Sequence, residues 1–360
     1  MHAEESIIDR IILMKKFNFL IIMIIIVLTF SSCKTYVPYN YDVSKYIELG
    51  EYKELVSDFV DIGVSDEDLQ QGVNNLLKDN GYGKPETITT GSVVLGDKII
   101  LDVTGSVDGV TDNALALKNY ELIVGSGTFL DEFEQNLIGQ PIGKNFEIDV
   151  LFPEDYIKTI YANKTVHYQI KISSATRMRY PELDEQILKD ISEFSSIDSL
   201  LDDLRKKLEE ETIKQADIDR ENQLWEQVVN NTKVIDYPKV ALEFITKNLK
   251  SKFEKAAEKE NITLKEYLSK NNLTLDEVQQ YIESQAKRTC KDEMVMYAIA
   301  RQENIEATKA EIKSLSLKYV EEYGYKDTNE LYKTYSKDLV EQTILYQKVK
   351  DFIVANALEN

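Results

Sequence analysis

The order of apolar and polar positions divides the chain into three unlike parts. Residues 17–30 form one apolar run, interrupted only by Asn18 and Thr29. From about residue 97 the apolar positions recur every second residue. Ile99, Leu101 and Val103 alternate in DKIILDVTG, Phe146, Ile148 and Val150 in NFEIDVLF, and Val166, Tyr168, Ile170 and Ile172 in TVHYQIKIS. That period predicts half-buried antiparallel strands. From Pro181 to the end the spacing becomes helical. Capping pairs punctuate this part: Thr263 with Glu266, Thr274 with Glu277, Thr308 with Glu311, and Asp327 with Glu330. Pro238 suits a first helical turn. No strict heptad spans the region, so it reads as several helices and not as one coiled coil.

Ahead of the strands, residues 65–78 predict a further helix. Ser65 can cap it, acids fill its first turn, and Leu69, Val73, Leu76 and Leu77 share a face. The stretch DNGYGKPETITTG (79–91) reads as a boundary, because glycine and proline punctuate local structure. Residues 34–44 carry no helical period and read as a tether.

The apolar run changes meaning with its flanks. Lys15 and Lys16 precede it; Ser31, Ser32 and then Cys33 follow. A charged start, a short apolar core and small residues before a cut describe a secretory signal. The run is short for a bilayer span of about 20 residues, which leaves an uncleaved anchor as the lesser reading. Acids at Glu4, Glu5 and Asp9 are foreign to a signal's first region, so Met14 is the expected start. Residues 1–32 hold as many bases as acids, and removing them leaves the net charge of -20 unchanged.

That charge argues against nucleic acid as a partner, since phosphate backbones require a clustered cationic surface. Two cysteines, Cys33 and Cys290, show no metal spacing, and Cys290 reads as a partly buried free thiol. Two histidines, His2 and His167, leave little room for His-dependent hydrolysis or a metal site; His167 falls on the polar side of its strand. No cofactor is expected.

Four segments carry a resemblance: LDVTGSVDG (101–109), LIVGSGTFLDEFEQNLIGQPIG (122–143), FPEDY (152–156) and VHYQIKI (166–172). In this order they resemble an FKBP-type peptidyl-prolyl isomerase domain. The helical half resembles the C-terminal chaperone domain of trigger factor, through YPELDEQI (180–187) and VIDYPKVALE (234–243). Serines before Cys33 resemble a bacterial lipoprotein signal, in which that thiol would take a diacylglycerol. The resemblance implies an α+β fold: an antiparallel FKBP-type half-barrel sheet with a short helix, followed by an all-α chaperone domain with helical arms. The expected divisions are a signal peptide over 1–32, a lipidated Cys and tether over 33–44, a small helical segment and linker over 45–90, the isomerase domain over 91–178, and the chaperone domain over 179–360. The family's ribosome-docking loop is not found, so ribosome docking is not expected.

An isomerase of this kind implies partners that are unfolded or nascent exported polypeptides presenting X–Pro segments, with the membrane engaged through the lipid. The expected place is the extracytoplasmic face of the cell membrane, with the cytoplasm of an ordinary trigger factor as the alternative. Carried over residue by residue, the pocket comprises Phe129 and Leu130 as walls, Phe133 as floor, Tyr156 at the rim and Tyr168 on the last strand. Val103 stands where the family has an aromatic residue, and Asp112-Asn113 where it has an aromatic-acid pair. These departures imply a wider, wetter pocket and leave two alternatives to a foldase. One is a holdase with a degenerate isomerase domain; the other is a scaffold reused for a single partner.

Overall fold

The structure, a computed structural model, describes residues 41–58 and 62–358. The signal segment and Cys33 lie outside the described residues. In chain order the elements are β1 (Ile47–Glu48), α1 (Asp66–Asp79), β2 (Lys84–Ile88), β3 (Lys98–Val107), β4 (Val110–Ile123), α2 (Asp131–Leu137), β5 (Asn145–Leu151), β6 (Thr165–Arg179), α3 (Glu185–Ile191) and α4 (Ile197–Asn231). They continue with β7 (Lys233–Val234), α5 (Lys239–Lys259), α6 (Leu264–Lys270), α7 (Leu275–Gln302), α8 (Lys309–Glu322), α9 (Thr328–Thr334) and α10 (Lys337–Ala355). They fall into two compact units, one spanning Gly63–Glu211 and the other formed by the described residues up to Ile62 together with those from Thr212 onward.

The first unit is built on an antiparallel sheet in the order β4-β3-β6-β2, with β5 also paired to β6. The period-2 positions do what their spacing predicts: Ile99, Leu101, Val103, Val166, Tyr168, Ile170 and Ile172 are all buried on one side. Strand β6 is long enough to pair β5 over Thr165–Lys171 and β2 over Ala175–Arg179. The boundary expected at 79–91 therefore contains a strand. Pro85 is tolerated there because β2 is an edge strand that pairs only with β6, and an edge strand has backbone N–H groups to spare.

Two irregularities bend β4. Leu101 pairs Tyr120, but Val103 pairs Leu117 and Gly105 pairs Asp112, so β4 carries extra residues at each step. Bulges of this kind kink a strand and increase its twist. Asn119, at φ +50, takes up the first, and its N–H donates to Asp102 Oδ1 at 2.7 Å. The result is an arch of β4 over the buried face of β3.

The second unit packs α4, α5, α7 and α10 around a core that includes Leu224, Trp225, Ile245, Met294 and Val349. Thr263, Thr274 and Thr308 form full capping boxes, as does Ser65 in the first unit. Asp327 also caps its helix, but Glu330 returns its bond to the Lys326 N–H. Pro238 is the residue before α5 and not its first turn.

The described part of the chain expected as a tether, residues 41–44, packs on the helical unit. Val43, Ile47, Tyr52 and Leu55 are buried in the helical core, and β1 pairs β7. The Gly50 N–H donates to Thr232 Oγ1 at 3.1 Å, and the Tyr52 hydroxyl donates to Glu303 at 2.6 Å. Residues 41–56 thus strap the helical unit, and the segment expected as one piece from 45 to 90 divides between the units. The irregular spacing of its apolar residues hides this, since it matches neither strand nor helix.

Cys290 is fully buried, and burial pushes its thiol up to about 12. Beside it, burial raises the Asp292 carboxyl to about 6 and the Glu293 carboxyl to about 7; Trp225 donates to the first and Gln342 to the second. Between the ordinary carboxyl range and pH 7 the folded unit holds protons that the unfolded chain releases, so stability falls as pH rises through that window. Glu293→Gln is expected to flatten this dependence. Wild type should melt about 5 °C lower at pH 8 than at pH 5, on the order of 2 kcal/mol, and the variant should keep only the smaller part of that shift that Asp292 contributes. Trp225, the only tryptophan, reports the transition; equal pH slopes in the two proteins would contradict the assignment.

Candidate active site

The stretch GSGTFLDEFE turns from β4 into α2 and builds one wall of a cavity in the first unit. Gly125 sits at φ +88, in the left-handed region that favours glycine. The loop beyond it is organised by one side chain. Glu134 is buried, and its carboxylate accepts the N–H of Gly125 at 2.7 Å, of Gly127 at 3.3 Å and of Phe129 at 2.8 Å. A carboxylate taken out of water needs such donors.

With its backbone pinned, Phe129 lies against Phe133 at 5.0 Å between ring centroids and edge-on to Tyr120 at 5.5 Å. Phe133 in turn meets Tyr168 of β6 edge-to-face at 5.1 Å. Rings at these separations attract beyond their buried area. Across the cavity, the loop from Phe152 to Lys164 brings Phe152 and Tyr156 together at 4.7 Å. The cavity encloses about 460 Å³. All six residues singled out from the sequence, Val103, Phe129, Leu130, Phe133, Tyr156 and Tyr168, line it.

Several lining residues escape the sequence reading. Phe152 lies one step past the period-2 run of β5, and Leu115 and Leu117 reach the cavity because β4 arches. Below them, a Cβ on Gly105 would stand 2.6 Å from Leu115 Cβ and 3.0 Å from the Tyr168 ring, so the glycine admits that close layer. Asp112 is not spent on the cavity wall. Its Oδ2 accepts the hydroxyl of buried Tyr161 at 2.6 Å.

The site holds no base, nucleophile or metal cluster among the described residues. Its titratable lining groups are Tyr156 and Tyr168, and burial raises both phenols, so they stay protonated at neutral pH. His167 faces away on the outer side, where Asp149 beside it raises its imidazole. Proton transfer is therefore not what this geometry does. Rotation about an X–Pro bond needs none: the barrier is amide resonance, about 18–20 kcal/mol. A cavity that holds the twisted, less dipolar amide better than the planar one lowers that barrier.

An apolar, aromatic-walled cavity on an antiparallel half-barrel defines the class: residues 90–173 match the model of the FKBP-type peptidyl-prolyl cis-trans isomerase family. Residues 196–355 match that of the bacterial trigger factor protein C-terminus. Whole-chain relatives agree. The trigger factor of Desulforamulus reducens is 32% identical over 320 residues, covering 88% of this chain and 73% of the relative. That of Carboxydothermus hydrogenoformans is 31% identical over 318 residues, covering 88% and 74%. A solved structure of the trigger factor chaperone aligns over 86% of this chain and 72% of its own at 15% identity and a TM-score of 0.38, too distant to inform the fold further. This chain belongs to the trigger factor family, and it is a chaperone carrying a peptidyl-prolyl isomerase domain.

Proposed function

We propose that the cavity of the first unit is the isomerase site, with Phe129, Leu130, Phe133, Tyr156, Tyr168 and Val103 contacting X–Pro segments of unfolded polypeptides. The observation that carries this is the convergence of those six side chains on one cavity whose lining holds no charged group. Phe133 and Tyr168 supply the buried floor, and Tyr156 the half-exposed rim. Acceleration of proline-limited refolding by the full chain, abolished in the Phe133→Ala variant, tests the assignment. A holdase with a weak isomerase domain is the second reading, favoured by the aliphatic Val103 in the wall; suppressed aggregation with no acceleration would select it.

The clients are exported proteins and the chain is lipid-anchored through Cys33 at the extracytoplasmic face of the membrane. The charged, apolar, small-residue order of 15–33 supports this. Tyr41 packs against the core of the helical unit, and the chain length from Cys33 to Tyr41 allows a separation of at most about 28 Å. Metabolic labelling with a radiolabelled fatty acid should mark the wild-type chain and not Cys33→Ala. Label retained in that variant would remove the anchor from the proposal.

A further inference from the structure

Where the resemblance leads one to expect a pocket aromatic, the chain has Asp112, and the structure gives that carboxylate a partner on the opposite side of the cavity. Tyr161 lies in the Phe152–Lys164 loop, 3% exposed, with its hydroxyl 2.6 Å from Asp112 Oδ2. The other oxygen of Asp112 accepts the Ala114 N–H at 2.9 Å, which fixes the carboxylate on the arch of β4. The Tyr161 ring packs against Phe152 at 5.7 Å and Tyr156 at 6.4 Å, both of which line the cavity. The loop is closed on itself around this ring, the Phe152 N–H donating to Lys164 O and the Lys164 N–H to Tyr161 O. The loop also reaches the turn before β4 through Lys164 Nζ and Asp108 at 3.0 Å, but that ion pair is exposed and contributes little.

Resting on the assignment of the cavity as the isomerase site, we infer that Asp112 and Tyr161 form a latch that holds the Phe152–Lys164 loop against β4 and so positions Tyr156 and Phe152 as the cavity's far wall. The latch replaces a wall-forming ring on β4 with a ring delivered from the loop. Asp112 is thus a positioning residue and not a defect in the pocket. The partners' electrostatics agree: the Tyr161 hydroxyl holds the Asp112 carboxyl below its ordinary range, and burial together with Asp112 raises the Tyr161 phenol.

The test is a set of variants of the full chain assayed on a proline-containing peptide, with kcat and KM separated. Tyr161→Phe removes one oxygen and leaves the ring. It should raise KM with kcat little changed, lowering kcat/KM about tenfold. Asp112→Ala should match it, and the double variant should be no worse than either single, because both changes open the same latch. Asp112→Asn keeps an acceptor oxygen and should stay within about threefold of wild type. In wild type the Tyr161 hydroxyl proton should exchange slowly enough to be seen by NMR, and it should vanish in Tyr161→Phe. Additive losses, an unaltered KM in Tyr161→Phe, or an Asp112→Asn variant as impaired as Asp112→Ala would overturn the latch. A wild-type chain without isomerase activity would overturn the site itself, and would be evident before any variant is made. Should Asp112→Ala fail to fold, Tyr161→Phe and Asp112→Asn still decide the matter.

Discussion

Phe133→Ala is expected to lower kcat/KM for X–Pro isomerisation about a hundredfold, equivalent to about 2.7 kcal/mol of transition-state stabilisation. Phe133 is buried at the base of the cavity, and its ring touches both Phe129 and Tyr168. Its loss removes two aromatic pairs, each contributing about 0.5–1.5 kcal/mol beyond area, and leaves a void into which the neighbours relax. The same truncation should destabilise the first unit by about 3–5 kcal/mol, so fold and chemistry must be separated. Phe133→Leu keeps most of the volume and costs about 1.5 kcal/mol or less in stability. It should still lose about tenfold in kcat/KM, because the flat ring is what the amide packs against. Activity within threefold of wild type in a folded Phe133→Leu protein, joined by an active Phe133→Ala, would remove Phe133 from the site.

Glu134→Ala is expected to destabilise the first unit as much as Phe133→Ala does, by a different route. Its carboxylate serves three backbone donors of the glycine turn. A buried donor left without a partner costs about 1–3 kcal/mol, and water entering the vacated space recovers part of that. A net loss of about 3–5 kcal/mol should lower the melting temperature of the first unit by about 10 °C. Glu134→Gln retains one acceptor oxygen and should lose roughly half as much. Because Trp225 lies in the other unit, its fluorescence transition should stay where it is, while the part of the near-ultraviolet tyrosine signal that comes from Tyr120, Tyr156, Tyr161 and Tyr168 melts early. Coincident, unshifted transitions would show that the turn does not depend on Glu134. Isomerase activity should fall in step, since the Phe129 backbone is held by the same carboxylate.

The two predictions also mark where sequence reading succeeds and stops. Period-2 alternation places Val103 and Tyr168 correctly because a pleated strand sends alternate side chains to one side whatever surrounds it. Phe129, Leu130 and Phe133 are reached only through the resemblance to the FKBP-type domain; no spacing in the sequence sets them apart from other apolar residues. Glu134 is harder, because its residue type argues for solvent and only its spacing argues for the interior. It sits four residues after Leu130 and three before Leu137, on the buried face of α2. The Asp112–Tyr161 pair is harder still. The two positions are distant in sequence, and neither residue type announces a partner; only the arch of β4 brings them together. Strand β2 is concealed because Gly81, Gly83 and Pro85 crowd its start, and the strap from Tyr41 because its apolar spacing has no period.

That strap sets an order of events during synthesis. Residues Gly63–Glu211 form a complete unit inserted between the two pieces of the other. The first unit has all its strands once Arg179 is made, whereas β1 waits for β7 and Val43 waits for α7 and α10. At ribosomal rates, the roughly 150 residues after Glu211 take on the order of 7 to 30 s to appear. Throughout that interval Val43, Ile47, Tyr52 and Leu55 have no core to enter. The helical unit of this chaperone is therefore itself a late folder, and its first apolar segment is in the position of a client until its last helix arrives.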